Sequence, residues 1–549
     1  MLTVGLRTQA WGRQLDILLA ALRPSANARD AAEGGDRLGF ESILFRTGGQ
    51  GADVAARETN TDFYVDLHLE EVVTSIVAGY EEYDLAPFFH MPLGSVEEVA
   101  YRHAVLRELE SDGLRSHLEE FAEGMRLVRA ELVQARRLSY PYQKAIWFVD
   151  AVRAYCLSVQ TLREALEGLS LGAEGLLALR SYLAEQVSTS IFSDLEAESA
   201  RLQEGLHAVR YRVEIRGRRL TVSHHEPGVD YSREIEETFR KFRQTDAKDY
   251  RVGFRSYPEM NHVEAEVLDQ VARLNQSLFT ALTAFARSRR DFLDPTLVRF
   301  DREVQVYLAY LAFVRRLRAA GLPFCYPEVC EDAKAVRAVD TFDLALADRL
   351  VGTGGAVVSN DFHLHGAERI FVVSGPNQGG KTTFARTFGQ LHHLARLGLT
   401  VPGREARLLL CDRIFTLFAR SEKVEDLRGR LQEELVRLRG ILANATERSI
   451  LIMNETFSST TLQDVRFLGR EALRHVIGSD MLCVYVTFVD ELSTFSEATV
   501  SMVSTVDPED PAARTYKILR RPADGLAYAM AIAKKHRLTY DMLRDRLAR

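Results

Sequence analysis

Ser374-Gly375-Pro376-Asn377-Gln378-Gly379-Gly380-Lys381-Thr382-Thr383 is the stretch that decides how this chain is read. Before it lies Ile370-Phe371-Val372-Val373, an apolar, β-branched run of the length of a buried strand. After it, Phe384 to Leu397 repeats apolar residues at helical spacing. Strand, glycine loop and helix are the setting a phosphate-binding loop requires, and Gly375 to Thr382 fits G-x-x-x-x-G-K-T without a gap. Glycines let backbone N–H groups curl around phosphates, and the helix start adds a favourable dipole. Lys381 is expected to reach the β- and γ-phosphates, and the Thr382 hydroxyl to hold Mg²⁺. The plainer alternative, a strand-to-helix turn that happens to be glycine-rich, explains neither the lysine nor the flanking elements. Residues Gly375 to Thr383 are therefore expected to bind nucleotide, with ATP and Mg²⁺ as cofactors.

Such a loop needs a carboxylate at the end of a neighbouring strand. Ser449-Ile450-Leu451-Ile452-Met453-Asn454-Glu455 supplies an apolar strand ending in Asn-Glu. Glu455 is placed to orient or deprotonate the attacking water, with Lys381 as the second catalytic candidate. Asn454 joins Thr382 as a metal-ligand candidate; an amide there keeps hydrogen-bond geometry but loses a negative charge. A third strand, Met481 to Thr487, ends at Phe488. Together these predict a mostly parallel α/β domain with the nucleotide at the carboxyl ends of its strands.

At 549 residues the chain is too long for one ordinary core. Apolar residues make up 46%, enough for several, and a net charge of −7 means that any DNA-binding surface is local. Cys156, Cys325, Cys330, Cys411 and Cys483 form no C-x-x-C pair and no zinc-spaced cluster, so they read as reduced thiols, mostly in cores, of a cytoplasmic protein. No apolar stretch reaches membrane-spanning length, and Met1 to Asn27 has no convincing cleavage site.

Along the chain, Leu15 to Leu22 is a short helix candidate between glycine-bearing connections. From Asp66 to Val73 an amphipathic helical pattern begins, and Tyr83 to Pro92 breaks it. Ser95 and Glu98 have the spacing of a capping box. Long helices are expected from Val96 to about Leu206, interrupted near Ser139-Tyr140-Pro141 and from Gly168 to Gly175. Tyr211 to Ile215 and Arg219 to Ser223 then alternate as a hairpin around Arg216-Gly217-Arg218. Its Arg210, Arg212, Arg216, Arg218 and Arg219, with Arg240, Lys241 and Arg243 beyond, suit phosphate contacts or, equally, a solvated face diluted by Glu234, Glu236 and Glu237. Helical spacing returns from Glu259 to about Arg318. The expected organisation is an N-terminal segment (1–60), a helical region (61–205), a region with the hairpin (206–258), returning helices (259–335), the phosphate-loop ATPase domain (336–520) and a C-terminal helical segment (521–549).

The residues resemble the MutS family of DNA mismatch-repair ATPases, relatives of the ABC ATPases. The carriers are Gly375 to Thr383, Val401-Pro402-Gly403 with Ala406-Arg407, Asp412-Arg413-Ile414-Phe415-Thr416, Asn444-Ala445-Thr446 and the strand ending at Glu455, in the family's order and at similar distances. The clear match covers about residues 340–535, with a weaker one running back through the helices. The resemblance makes residues 61–205 a core and lever and 259–335 the returning lever helices, and places a clamp-like DNA-binding region (206–258) at the basic hairpin. It implies a dimer in which each subunit completes the other's ATP site, with Ser421 to Glu434 facing the partner and Gly525 to Arg549 helping to dimerise. The departures are specific. Asn454 stands where the family usually has aspartate, and Phe488 where it has a γ-phosphate-sensing histidine. Thr456 to Thr461 replaces Gly-Arg-Gly-Thr-Ser, and Gly429, Arg430 and Leu431 replace a trans-acting Ser-Thr-Phe, while Glu434 is retained. No mismatch-reading Phe-x-Glu module is apparent. The expectation is a divergent, MutS-like homodimeric ATPase that clamps double-stranded or branched DNA in repair or recombination. An ABC-like ATPase on a protein partner, and a nucleotide-gated clamp with little hydrolysis, stay open beside it.

Overall fold

A computed structural model describes residues 39–46, 62–217, 219–224, 260–419, 429–507, 513–523, 538–540 and 543. The Leu15 to Leu22 helix, Arg218, Arg240, Lys241, Arg243, most of Ser421 to Glu434 and most of Gly525 to Arg549 lie outside these residues. The chain divides into two compact units: residues 1–111, 172–176 and 302–549, and residues 112–171 and 177–301.

The first unit opens with helices α1 (Asp62–Asp66) and α2 (Leu69–Val77). The single helical start expected from Asp66 is in fact broken, because His68 takes a left-handed φ of 56° between them. Helix α3 (Val96–Leu109) begins at Ser95, whose hydroxyl accepts from the Glu98 N–H at 3.3 Å. Only half the expected capping box forms: the Glu98 carboxylate accepts from Gly94 N–H at 2.8 Å, one residue further back.

The second unit is helical: α4 (Asp112–Arg137), α5 (Pro141–Gly168), most of α6 (Glu174–Ser188), α7 (Ser190–Ala208), α8 (His262–Leu274), α9 (Gln276–Ser288) and the start of α10 (Pro295–Ala319). The expected interruptions at 139–141 and 168–175 are present. Breaks at Glu110–Ser111 and Thr189 were not expected; Thr189 caps α7 through its hydroxyl. Helices α4 and α5 approach so closely that a Cβ on Gly124 would lie 2.0 Å from Ser158 Oγ. Aromatic rings fill the interior, with Phe148 and Tyr155 each edge-on to Phe292 at 5.5 Å. Strands β1 (Tyr211–Arg216) and β2 (Arg219–His224) form the antiparallel hairpin, with Arg216 opposite Arg219.

Beyond α10 the first unit resumes with β3 (Phe324–Cys325), β4 (Glu328–Cys330), β5 (Val336–Thr341), α11 (Leu344–Thr353), β6 (Asn360–Leu364), β7 (Ile370–Ser374), α12 (Lys381–Arg396), β8 (Val401–Pro402), β9 (Glu405–Leu409), β10 (Ile414–Phe418), α13 (Arg430–Asn444), β11 (Ile450–Asn454), α14 (Leu462–Gly478), β12 (Leu482–Val486), β13 (Thr499–Val506) and β14 (Arg514–Arg520). The main sheet has the order β10-β11-β12-β7-β13-β14, parallel except for β14. A smaller sheet, β4-β9-β5-β6, stands in the same unit.

Helix α12 is buried along nearly its whole length. A Cβ on Gly389 would lie 2.5 Å from Leu67 Cδ1 and 2.7 Å from Ile452 Cδ1, so the helix approaches both α1–α2 and the sheet there. His392 and His393 are inside the protein, their rings bonded to the Phe388 and Phe89 carbonyls. Of the cysteines, Cys156, Cys411 and Cys483 are buried, whereas Cys325 and Cys330 are only partly so. No helix among the described residues is long and apolar enough to cross a membrane.

Burial pushes the imidazoles of His392 and His103 down to about 4, and that of His393 well below its usual value. An unfolded histidine takes up its proton near pH 6.5, so between that pH and the folded value the unfolded chain binds more protons. Stability is therefore whole above pH 6.5 and lost as pH falls, by up to about 3 kcal/mol for an imidazole shifted this far. The melting temperature is expected to fall between pH 6.5 and 5, and the fall to be shallower in His392→Leu. Identical slopes in a thermal-shift pH series would refute this account.

Candidate nucleotide site

Strand β7 ends at Ser374, and the chain turns sharply into α12. Gly375 and Gly380 take left-handed φ values of 111° and 91°. At both glycines of the loop's floor a side chain is excluded. A Cβ on Gly375 would meet the Ser504 carbonyl at 2.9 Å, and one on Gly379 would meet Ser504 Oγ at 2.1 Å. Ser504 donates its hydroxyl to Gly379 O at 2.7 Å, tying the loop to β13. Arg514 of β14 adds a bond from Nε to Asn377 O at 3.2 Å. The first N–H groups of α12 have no acceptor within the helix and open at this loop.

Lys381 is buried, and its ammonium donates to Gly375 O, Pro376 O and Asn377 Oδ1 at 3.0, 3.1 and 3.1 Å. Burial pushes its pKa below the usual lysine range, and the Glu455 carboxylate opposes that shift. Thr382 donates its hydroxyl to Asn454 Oδ1 at 2.9 Å, so the two metal-ligand candidates, on the first turn of α12 and at the end of β11, are brought together. Glu455 follows directly, with its N–H bonded to Val486 O of β12 at 2.9 Å. Phe488 sits two residues beyond Val486 and is half exposed; its neighbour Thr487 bonds to Val373 O of β7.

A cleft of about 690 Å³ opens over this loop. Asn377, Gln378, Gly380, Lys381, Thr382, Thr383 and Glu455 line its polar side. Leu346 and Leu350 of α11, with Ala356, Val358 and Tyr516, line an apolar side suited to a flat ring. Asn360 closes that side, its amide bonded to Tyr516 O (3.1 Å) and to Ile518 N–H (2.7 Å). The apolar wall and Ser504 were not singled out from the sequence. They come from strands and a helix far from the glycine loop, and none carries a local motif.

Backbone strain gathers around the same cleft. Gln378, Glu455, Phe457 and Tyr516 are non-glycine residues with φ between 50° and 63°. Each left-handed residue costs roughly 1–3 kcal/mol and persists only where its surroundings impose it.

The hairpin arginines are a separate group in the second unit. Arg212, Arg216 and Arg219 share one face, with Glu214 among them pairing to Arg216 at 2.8 Å. The other face carries Tyr211, Val213, Val222 and Leu220. Arg210, just before the hairpin, bonds to the His207 and Val209 carbonyls. Among the described residues no three His, Cys, Asp or Glu side chains form a metal-binding group.

Residues 371–543 match the family model described as MutS domain V. The chain is similar to the DNA mismatch repair protein MutS of Erythrobacter litoralis, with 30% identity over 224 residues, covering 40% of this chain and 25% of that protein. It is likewise similar to the DNA mismatch repair protein MutS of Myxococcus xanthus (30% over 243 residues; 43% of this chain, 26% of that protein). With that of Clostridium kluyveri it shares 23% identity over 297 residues, 52% of this chain and 33% of that protein. The chain thus spans about a quarter to a third of the length of the curated relatives it matches.

Proposed function

From the premise that this chain belongs, through residues 371–543, to the MutS family, we propose that it is a Mg²⁺-dependent ATPase, cytoplasmic and dimeric, that works on DNA in repair or recombination. One observation carries the reading. The glycine loop, the Thr382–Asn454 pair and Glu455 converge at the carboxyl edge of one parallel sheet, beside a cleft with a polar and an apolar side.

The α- and β-phosphates take the N–H groups of the loop and of the first turn of α12. Lys381 exchanges its bonds to Gly375 O, Pro376 O and Asn377 Oδ1 for phosphate oxygens. Thr382 and Asn454 would hold Mg²⁺, and their oxygen donors at 2.9 Å fit a hard cation that keeps several waters. When bound, the ion neutralises charge on the phosphate oxygens. Glu455 orients the attacking water and accepts its proton. The apolar wall takes the base, so the base is held by shape and stacking rather than by charge.

On DNA, Arg212, Arg216 and Arg219 make phosphate contacts from one face of the hairpin. Such contacts carry no base information, so the substrate proposed is a DNA shape, branched or crossing duplexes, rather than a sequence. The nucleotide state opens and closes the clamp. In steady-state assays the protein should hydrolyse ATP at least 100-fold faster than Lys381→Ala, and faster with a four-way junction than with plain duplex. Hydrolysis indifferent to either DNA would move the reading to a protein partner.

A second reading, a nucleotide-gated clamp with little hydrolysis, is favoured by Asn454. Its amide holds the Thr382 hydroxyl but brings no charge to the metal position. Asn454→Asp is expected to raise kcat about tenfold with nucleotide affinity little changed. Equal kcat in the two proteins would discard the missing charge as the limit.

A further inference from the structure

The backbone beyond Glu455 runs through two left-handed residues within three positions, Glu455 (φ 50°) and Phe457 (φ 63°). Neither is glycine, so the conformation has to be imposed by what surrounds it. The Phe457 ring is completely buried in the core beneath α13 and α14, which fixes one side of the turn. The other side is fixed by a carboxylate. Glu434, on the second turn of α13, accepts the Phe457 N–H on Oε2 at 2.7 Å. That is a short, charge-assisted bond to a backbone group two residues from Glu455.

Glu434 is itself only 4% exposed. A carboxylate this deep persists only if it is paired. Arg430, one turn earlier on α13, supplies the counter-charge, its Nε 3.3 Å from Glu434 Oε1. The same guanidinium reaches Ser458 Oγ at 3.4 Å, so it clasps the turn from the other end. Further along α13, Arg437 bonds to the Thr416 and Phe418 carbonyls of β10, anchoring the helix to the sheet edge.

We propose that Glu434 is a positioning residue for Glu455: it holds the strained turn that aims the water-activating carboxylate into the cleft, and Arg430 holds Glu434. This rests on the reading of the cleft as an ATP-hydrolysing site. It makes α13, whose first residues follow the segment 421–428, a lever on the chemistry rather than on nucleotide binding. Glu434 is not among the residues that line the cleft, so its loss acts on kcat and leaves KM in place.

The test compares Glu434→Gln, Glu434→Asp and Glu434→Ala, with Lys381→Ala as the blank, in ATP turnover and in binding of a fluorescent ADP. Glutamine keeps the reach and an acceptor oxygen for Phe457 N–H; aspartate keeps the charge but is one methylene short. The expected result is kcat lowered at least tenfold in Glu434→Asp and Glu434→Ala and within threefold of the parent in Glu434→Gln, with ADP affinity within twofold throughout. If Glu434→Ala does not fold, the Gln–Asp pair carries the comparison alone. Parent-like turnover in Glu434→Asp, or a better rate in it than in Glu434→Gln, overturns the proposal. So does ADP affinity that falls in step with kcat. If the parent itself is no faster than Lys381→Ala, the ATPase reading fails and takes this inference with it; an active parent with indifferent Glu434 variants sinks the inference alone.

Discussion

Helix α12 leaves solvent almost completely after its first turn, and that burial determines where its N-terminus points. A helix buried on all sides is ordinarily apolar all round, yet this one carries His392, His393 and Arg396 inside. Each is tied to a backbone carbonyl: His392 to Phe388, His393 to Phe89, Arg396 to Asp412 at 2.9 Å. Unpaired, such groups would cost a few kcal/mol apiece. Rotating or sliding the helix would break the His393 and Arg396 bonds, though not the one from His392 to Phe388 in the same helix, and drive Leu67 and Ile452 away from the notch at Gly389. The free N–H groups at its start are therefore held in one direction, over the carboxyl edge of the sheet, whether or not anything is bound there.

The same helix is fastened to the cleft's apolar wall. Asp343 caps α11, which carries Leu346 and Leu350, and pairs with Arg386 of α12 at 3.1 Å. Gln390, one turn on, accepts the Leu344 N–H and donates to Asp343 and to the Leu67 carbonyl. Arg386 also meets the ring of His68, the residue whose left-handed backbone separates α1 from α2. Asp66 accepts from Thr416 of β10, and Asp62 lies 3.4 Å from Arg437 of α13. Residues 62–68 are thus bonded to α12, to an edge strand and to α13 at once. A displacement of any of these is felt by the short helices at the start of the described chain.

What the sequence made legible follows the range of the interactions. The glycine loop, the strand before it and the strand ending at Glu455 are local patterns, since strand, turn and helix starts are decided within a few residues. The hairpin register is local too, and Arg216 opposite Arg219 is what a tight turn at Gly217 dictates. The Ser95–Glu98 box was half right, because the spacing is correct but Glu98 finds a better donor in Gly94. The left-handed turn at His68 was missed, and the partner that meets its ring, Arg386, lies 318 residues along the chain. Ser504, Tyr516 and the apolar wall were missed for the same reason: their roles depend on the strand order β12-β7-β13-β14, which places β13 beside the loop.

The departures from the family pattern then separate into geometry and charge. Asn454 keeps the geometry, with its amide oxygen accepting from Thr382 at 2.9 Å. The hydrogen bond itself is worth about 1 kcal/mol net. A full negative charge 4 Å from a cation interacts by about 4 kcal/mol per unit charge at an effective dielectric of 20. Charge therefore outweighs geometry at this position, and an amide there would weaken the hold on any divalent ion without disturbing the fold. On α13 the balance runs the other way. Arg430, in place of a small polar residue, adds a cation beside the buried Glu434 and stabilises it, as well as reaching Ser458. One substitution removes a charge where a metal would need it, and the other adds one where a strained turn is held. Both leave the sheet edge in shape and act on the electrostatics of the groups along it.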